Sequence, residues 1–258
     1  MQRLPPLVLA YHSVNRVARE HDPSSLVVAP SRFRLQVQSL LGRGYAFVKV
    51  TDFADRLRAS GPPAGVCAVT FDDGSADSLL IDLLRDLGVP ATLFVCPGLL
   101  GQPHPWLHRE SGVRLLSADA LREVARLPFI EIGSHTNEHT DLSAATENEA
   151  YRELSSSRQA LEDLLNIRVT SVAYPFCHYS AACPRSAQRA GYTCAVTCEG
   201  RGGWLPFELR REAIAAWDGR LSFALKSRGG AHMAHRSQVG RLALRVRRGL
   251  ADRKRKAK

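Results

Sequence analysis

Short apolar runs alternate along this chain with longer stretches whose apolar positions recur every three to four residues. The β-type runs are Leu7–Tyr11, Ala46–Val50, Cys67–Phe71, Thr92–Val95, Ile130–Gly133, Ser171–Tyr174 and Thr193–Thr197. Between them Ser31–Leu41, Phe53–Ala59, Ser78–Leu87, Ala118–Arg126, Glu147–Leu165 and Pro184–Ala190 carry helical spacing. This is the rhythm of βα units, in which each strand is covered by the helix that follows it, and it predicts an α/β fold. Thr146 and Glu149 match a capping box opening the longest helix, whose apolar face carries Tyr151, Leu154, Leu161, Leu164 and Leu165. Gly88-Val89-Pro90 and Gly191-Tyr192 read as helix stops that turn the chain into the next strand. The rhythm is interrupted between Gly98 and Ser117, a Gly-, Pro- and His-rich stretch of the kind that shapes a cleft, and it weakens from Gly200.

With 258 residues, 45% of them apolar and 23% charged, the chain has the make-up of an ordinary globular protein, which excludes a fibre, a repeat array or a disordered chain. A single domain over residues 1–230, followed by a basic tail over 231–258, accounts for that length. The net charge of +10 first suggests nucleic acid, but residues 241–258 hold nine Lys or Arg against one Asp, so eight of those charges sit in the tail. The body is nearly neutral, and nothing resembles an aromatic-interleaved reader motif, so nucleic acid is disfavoured as a partner. Leu242, Leu244, Val246 and Leu250 among the tail's arginines suit peripheral contact with an anionic membrane, and equally a solvated tail.

The opening residues, with one Arg, two prolines and His12 at the end of a short apolar run, read as a first strand rather than a secretory signal, and no apolar stretch is long enough to span a bilayer. Cys67, Cys96, Cys177, Cys183, Cys194 and Cys198 form no C-x-x-C pair and read as buried reduced thiols. These features together predict a cytoplasmic protein, with the tail as a route to the inner membrane surface.

Chemistry concentrates at three predicted strand ends. Ala68-Val69-Thr70-Phe71-Asp72-Asp73-Gly74 runs an apolar strand into two adjacent carboxylates, which side by side call for a cation. The plainer alternative makes Asp73 and Ser75 caps of the next helix. Ile132-Gly133-Ser134-His135-Thr136-Asn137-Glu138-His139 supplies two imidazoles four apart, which a helical turn would place on one face. Two ring nitrogens and one carboxylate oxygen make a hydrolytic metal site with open positions. Ser171-Val172-Ala173-Tyr174-Pro175-Phe176-Cys177 is a third strand end, stopped by proline.

In this order and spacing the three segments resemble the polysaccharide deacetylase family, also called the NodB-homology domain or carbohydrate esterase family 4, over roughly residues 5–230. The resemblance implies a distorted (β/α) barrel and a metal-dependent carbohydrate N-deacetylase. It makes Asp72 the general base and Asp73, His135 and His139 the ligands of a divalent ion, Zn²⁺ or else Co²⁺ or Ni²⁺. It also gives the backbone N–H of Phe176 to the oxyanion, and Tyr174 and Pro175 to substrate binding. An N-acetylated sugar is the implied partner. Two departures stand out: Ala173 occupies the position of an arginine that orients the base, and no L-x-H motif follows. Arg211 is a candidate for the missing cation. Val8-Leu9-Ala10-Tyr11-His12-Ser13-Val14 resembles the start of the permuted poly-N-acetylglucosamine deacetylase branch, where this histidine is the general acid, so His12 takes that role. His104, His108, His178, His232 and His235 are weaker candidates. Competing readings are a non-catalytic glycan-binding protein that keeps the fold, favoured by Ala173, and a deacylase or O-acetyl esterase with the same constellation.

Overall fold

The computed structural model describes residues 4–75, 77–198 and 204–228. In chain order its elements are β1 (Leu7–Tyr11), β2 (Ser13–Val14), β3 (Val27–Val28), α1 (Pro30–Gly42), β4 (Ala46–Val48), α2 (Val50–Ser60), β5 (Val66–Phe71), α3 (Ser78–Leu87), β6 (Ala91–Val95), α4 (Ala118–Ala125), β7 (Ile130–Ser134), α5 (Glu147–Leu165), β8 (Ser171–Ala173), α6 (Cys183–Arg189), β9 (Cys194–Thr197), β10 (Leu209–Arg210), β11 (Glu212–Ala213) and α7 (Arg220–Lys226). Every pairing in the main sheet is parallel, in the order β10-β9-β8-β7-β6-β5-β1-β11.

β10 and β11 are one passage of chain that changes neighbours. Leu209 and Arg210 pair with β9, whereas Glu212 and Ala213 pair with β1. Arg211, between them, gives its N–H to Thr197 O. This short stave joins the two ends of the sheet into a nearly closed, distorted barrel surrounded by helices, the fold class the sequence predicts. Its pattern was not legible, because two-residue strands show no alternation and the residue between them is a charged one turned inward.

The strands are buried on both faces, as an enclosed parallel sheet requires. Within β1, β5 and β6 the period of two sorts the side chains. Leu7, Leu9, Tyr11, Cys67, Val69, Phe71, Ala91, Leu93 and Val95 face the surrounding helices. Val8, Val66, Ala68 and Phe94 join a second cluster together with Ala173, Val196 and Leu209. The α2 face of Val50, Phe53, Ala54 and Leu57 enters that same inner cluster. The backbone N–H of Val50 reaches Thr92 Oγ1, Thr51 reaches Glu131, and Arg58 reaches Thr193 O. These partners lie where strands begin, so α2 covers that end of the barrel and leaves the other open. The sequence placed Val50 at the end of a strand; here β4 stops at Val48 and Val50 opens α2.

Local signals hold elsewhere. Thr146 and Glu149 form both halves of the capping box of α5, and Gly88 ends α3 in the left-handed region. Asp73 and Ser75 do not cap α3. Its N-cap is Asp77, whose carboxylate instead receives hydrogen bonds from Ser13, Val14 and Asn15.

Candidate active site

At the open end of the barrel a cavity of about 500 Å³ collects His12 from the end of β1, Asp72 and Asp73 from β5, His135 and His139 from the loop after β7, and Phe176 from the turn after β8. The apolar strands fix where each side chain emerges, and the backbone then departs from ordinary geometry. Of the seven non-glycine residues with positive φ among the described residues, five are Asp73, Thr136, His139, Phe176 and Cys177. Such conformations cost of order 1–3 kcal/mol each and cluster where function over-determines them. His135 and His139 are therefore not brought together by a helical turn, as their spacing suggested. Left-handed residues at Thr136 and His139 fold the loop back, the N–H of Thr140 caps Thr136 Oγ1 at 2.9 Å, and the two rings meet at 4.8 Å.

The Asp73 carboxylate is 3% exposed, and neither of its oxygens has a hydrogen-bond partner. Oδ1 faces Nε2 of His139 at 3.3 Å and Nε2 of His135 at 3.7 Å. The His135 tautomer follows from its other nitrogen. Nδ1 lies 2.8 Å from Ala173 O, which can only accept, so Nδ1 donates there and Nε2 is the nitrogen turned toward Asp73. Burial pushes the His139 imidazole down to about 4, which keeps that ring neutral. Donor atoms of Asp73, His135 and His139 lie within 4.8 Å of one another. Two imidazole nitrogens facing an unpartnered buried carboxylate fit a divalent ion, and that carboxylate would be costly without one.

Asp72 is handled differently. Arg211 donates Nη1–H to its Oδ1 at 2.6 Å and Nη2–H to its Oδ2 at 2.8 Å, and Nη1 also reaches Thr70 Oγ1 at 2.9 Å. Both partners are buried, Arg211 to 1% exposure. Burial alone would raise the Asp72 carboxyl. The charge of Arg211, with its two hydrogen bonds, outweighs it and holds the group well below the usual carboxylate range. Arg211 thus stands against Asp72, although Ala173 occupies the motif position.

The remaining predicted residues divide. His12 lines the cavity, with Nδ1 buried and unpartnered. Phe176 lines it as well, 4.4 Å from the His139 ring. Tyr174 and Pro175, expected to bind substrate, do not line it: Tyr174 is fully buried, stacks on Tyr179 and donates its hydroxyl to Phe207 O. His178 lies at the rim, paired with Asp141. His108 joins His21 and Glu110 in a separate surface cluster. His232, His235 and the basic tail lie outside the described residues.

The expectation of reduced thiols throughout is corrected at one pair, since Cys177 and Cys198 are disulfide-bonded and both line the cavity. They are 21 residues apart, but β8 and β9 are parallel neighbours, so their ends emerge side by side. Cys67, Cys96, Cys183 and Cys194 are free and buried. Sequence reasoning missed Trp106, whose ring stands 5.0 Å from His139 and 5.6 Å from Phe176 in the cavity wall. The signal was its place in the irregular Gly98–Ser117 loop.

The pattern of the family described as polysaccharide deacetylases matches residues 59–195. The Bacillus subtilis (strain 168) protein YxkH, provisionally named a polysaccharide deacetylase, is 26% identical over 195 residues, 74% of this chain, which spans 64% of the length of that relative. Among solved structures, the Streptococcus pyogenes deacetylase PplD in complex with acetate superposes at a TM-score of 0.73 with 24% identity, covering 88% of this chain and 99% of that one. IcaB from Ammonifex degensii superposes at 0.72 with 19% identity, over 90% and 98%. These two likenesses are of fold, and they do not single out one branch of the family.

Proposed function

The chain belongs to the polysaccharide deacetylase family, and from that premise we propose that it is a metal-dependent hydrolase removing the N-acetyl group from an N-acetylhexosamine in a glycan, glycolipid or oligosaccharide. The observation that carries the reading is the division of labour between adjacent carboxylates. Asp73 is buried, unpartnered and faced by two imidazoles, while Asp72 is locked by a bidentate arginine.

Asp73, His135 and His139 would hold the ion, which would supply polarisation of the acetyl carbonyl and of the attacking water. Asp72 accepts the proton of that water. Its oxygens each give one lone pair to Arg211 and retain another, and the arginine keeps the carboxylate anionic and aimed. The backbone N–H of Phe176 donates to the oxyanion, a contribution independent of the side chain. His12, on the same cavity wall, returns a proton to the departing amine. Trp106 and Phe176 offer apolar faces against which a sugar ring can lie. The missing arginine at Ala173 would favour a non-catalytic binding protein, and the placement of Arg211 on Asp72 supports catalysis instead.

Metal content and acetate release from N-acetylglucosamine oligosaccharides and from nucleotide- or lipid-linked sugars test the reading, with aryl acetate esters as the comparison. Wild type should bind one divalent ion at this site and release acetate from an amide, while Asp72→Asn keeps the ion and loses at least 100-fold in turnover, the low end of what a general base contributes (~10²–10⁴). Release from esters alone would make it an O-acetyl esterase, and a protein that takes up no metal would be a non-catalytic relative.

A further inference from the structure

The loop between Gly98 and Ser117 is more than a wall. Its returning arm is stitched to the residues that follow Asp73: Leu116 N–H donates to Gly74 O at 2.9 Å, and Ser75 bridges to Leu115. Its outer part is closed by Pro103 against Arg114 and by the N–H of His104 on Val113 O. This stitching carries the His104 ring inward, where its side chain is fully buried and its Nε2 points at Asp73 Oδ2 from 3.8 Å. Neither atom has a hydrogen-bond partner elsewhere.

The protonation of that ring is fixed from the other side. The backbone N–H of Trp106 donates to His104 Nδ1 at 3.3 Å, so Nδ1 is the acceptor and Nε2 bears the hydrogen. A nitrogen that carries a proton does not ligate a metal, and His104 stands outside the group of mutually close donors formed by Asp73, His135 and His139. It presents a donor to the one carboxylate oxygen that those imidazoles leave unused, since both face Oδ1. Closing the gap by about 1 Å makes a charge-assisted hydrogen bond.

We propose that His104 is a positioning residue that holds Asp73 with Oδ1 toward the metal and Oδ2 toward the loop, coupling the Trp106-bearing wall of the cavity to the metal ligand. The inference rests on the metal-site reading above. Partners of this kind orient metal ligands, and losing one typically lowers affinity about 10–100-fold.

The test is zinc affinity of the full-length chain, measured by competition with a chromophoric chelator, for wild type, His104→Leu, His104→Gln and Trp106→Ala. Leucine fills the buried volume without a donor, and glutamine restores an N–H. His104→Leu should bind zinc at least tenfold more weakly, His104→Gln should recover most of that loss, and Trp106→Ala should keep wild-type affinity. Should leucine fail to fold, the glutamine variant still decides, because it must stay close to wild type. Equal affinities for wild type and His104→Leu, or a glutamine variant as weak as leucine, would overturn the role of His104 alone. A wild type that takes up no zinc would overturn the metal site and this role together.

Discussion

Arg211 is the residue on which most of the site's electrostatics turns. A guanidinium buried to 1% exposure is tolerable because both of its Nη atoms are spent on Asp72 and Thr70, and Asp72 in turn is tolerable only with that fork against it. Removing one partner leaves the other charge buried alone, so Arg211→Met should cost about 3–5 kcal/mol in chemical denaturation as well as abolishing turnover. Asp72→Asn combined with Arg211→Met should cost less than the two single losses added. The sign with pH follows from the depressed Asp72 carboxyl. The pair contributes stability above the ordinary aspartate range, and that contribution is lost as pH falls through the lowered folded value. Acid titrations of wild type and of Arg211→Met check this, since the variant should show a flatter acid limb. Arg211 was named from the sequence only as a candidate. One of two adjacent arginines in Leu209-Arg210-Arg211-Glu212 looks like surface, because inward-facing arginine is rare and no pattern marks it.

Elements deliver these residues with small tolerances. Gly133 in β7 shows how small: a Cβ there would lie 2.5 Å from the Phe94 ring and 2.7 Å from Ser171 Oγ. Gly133→Ala should therefore displace β7 against β6 and β8 and cost about 1–3 kcal/mol. Because His135 begins two residues later, zinc affinity should fall with it, and thermal unfolding run beside chelator competition would register both. α5 supports the same loop from outside, with Glu153 accepting the N–H of Asn137 at 2.8 Å and Ser157 meeting Ser134 at 2.7 Å. Long periodic elements such as Ser78–Leu87 and Glu147–Leu165 were legible in the sequence because an amphipathic face and its caps are local properties. The loop that joins His135 to His139 was not. Its shape comes from left-handed Thr136 and His139, residue types that give no such warning. The disulfide was equally hidden, because only the adjacency of β8 and β9 brings Cys177 to Cys198.

For the whole molecule, the ligand set ties separate staves together: Asp73 follows β5, while His135 and His139 follow β7 across β6. An ion bound there stabilises the folded barrel and not the unfolded chain. Zinc at one hundred times its dissociation constant should add about 2.7 kcal/mol, or raise the thermal midpoint by roughly 5–10 °C. Calorimetry with zinc and with chelator reads that shift, and Asp73→Ala should show none. The repeating βα rhythm made the α/β class legible and the motif resemblance implied the barrel, but its closure lay in the unpatterned stretch after Gly200, where one passage of chain serves two neighbours.

That late closure bears on how the protein is made. The ion pair between Asp72 and Arg211 joins residues 139 positions apart. A chain leaving the ribosome exposes Asp72 long before its counter-charge has been synthesised, and sealing a lone carboxylate in a barrel is too costly to occur first. The mouth of the nascent barrel should therefore stay open to water until Leu209 to Ala213 arrive, which would make this end the last to set. A fragment cut short of Leu209 lacks both the stave that joins the two ends of the sheet and the guanidinium that neutralises Asp72.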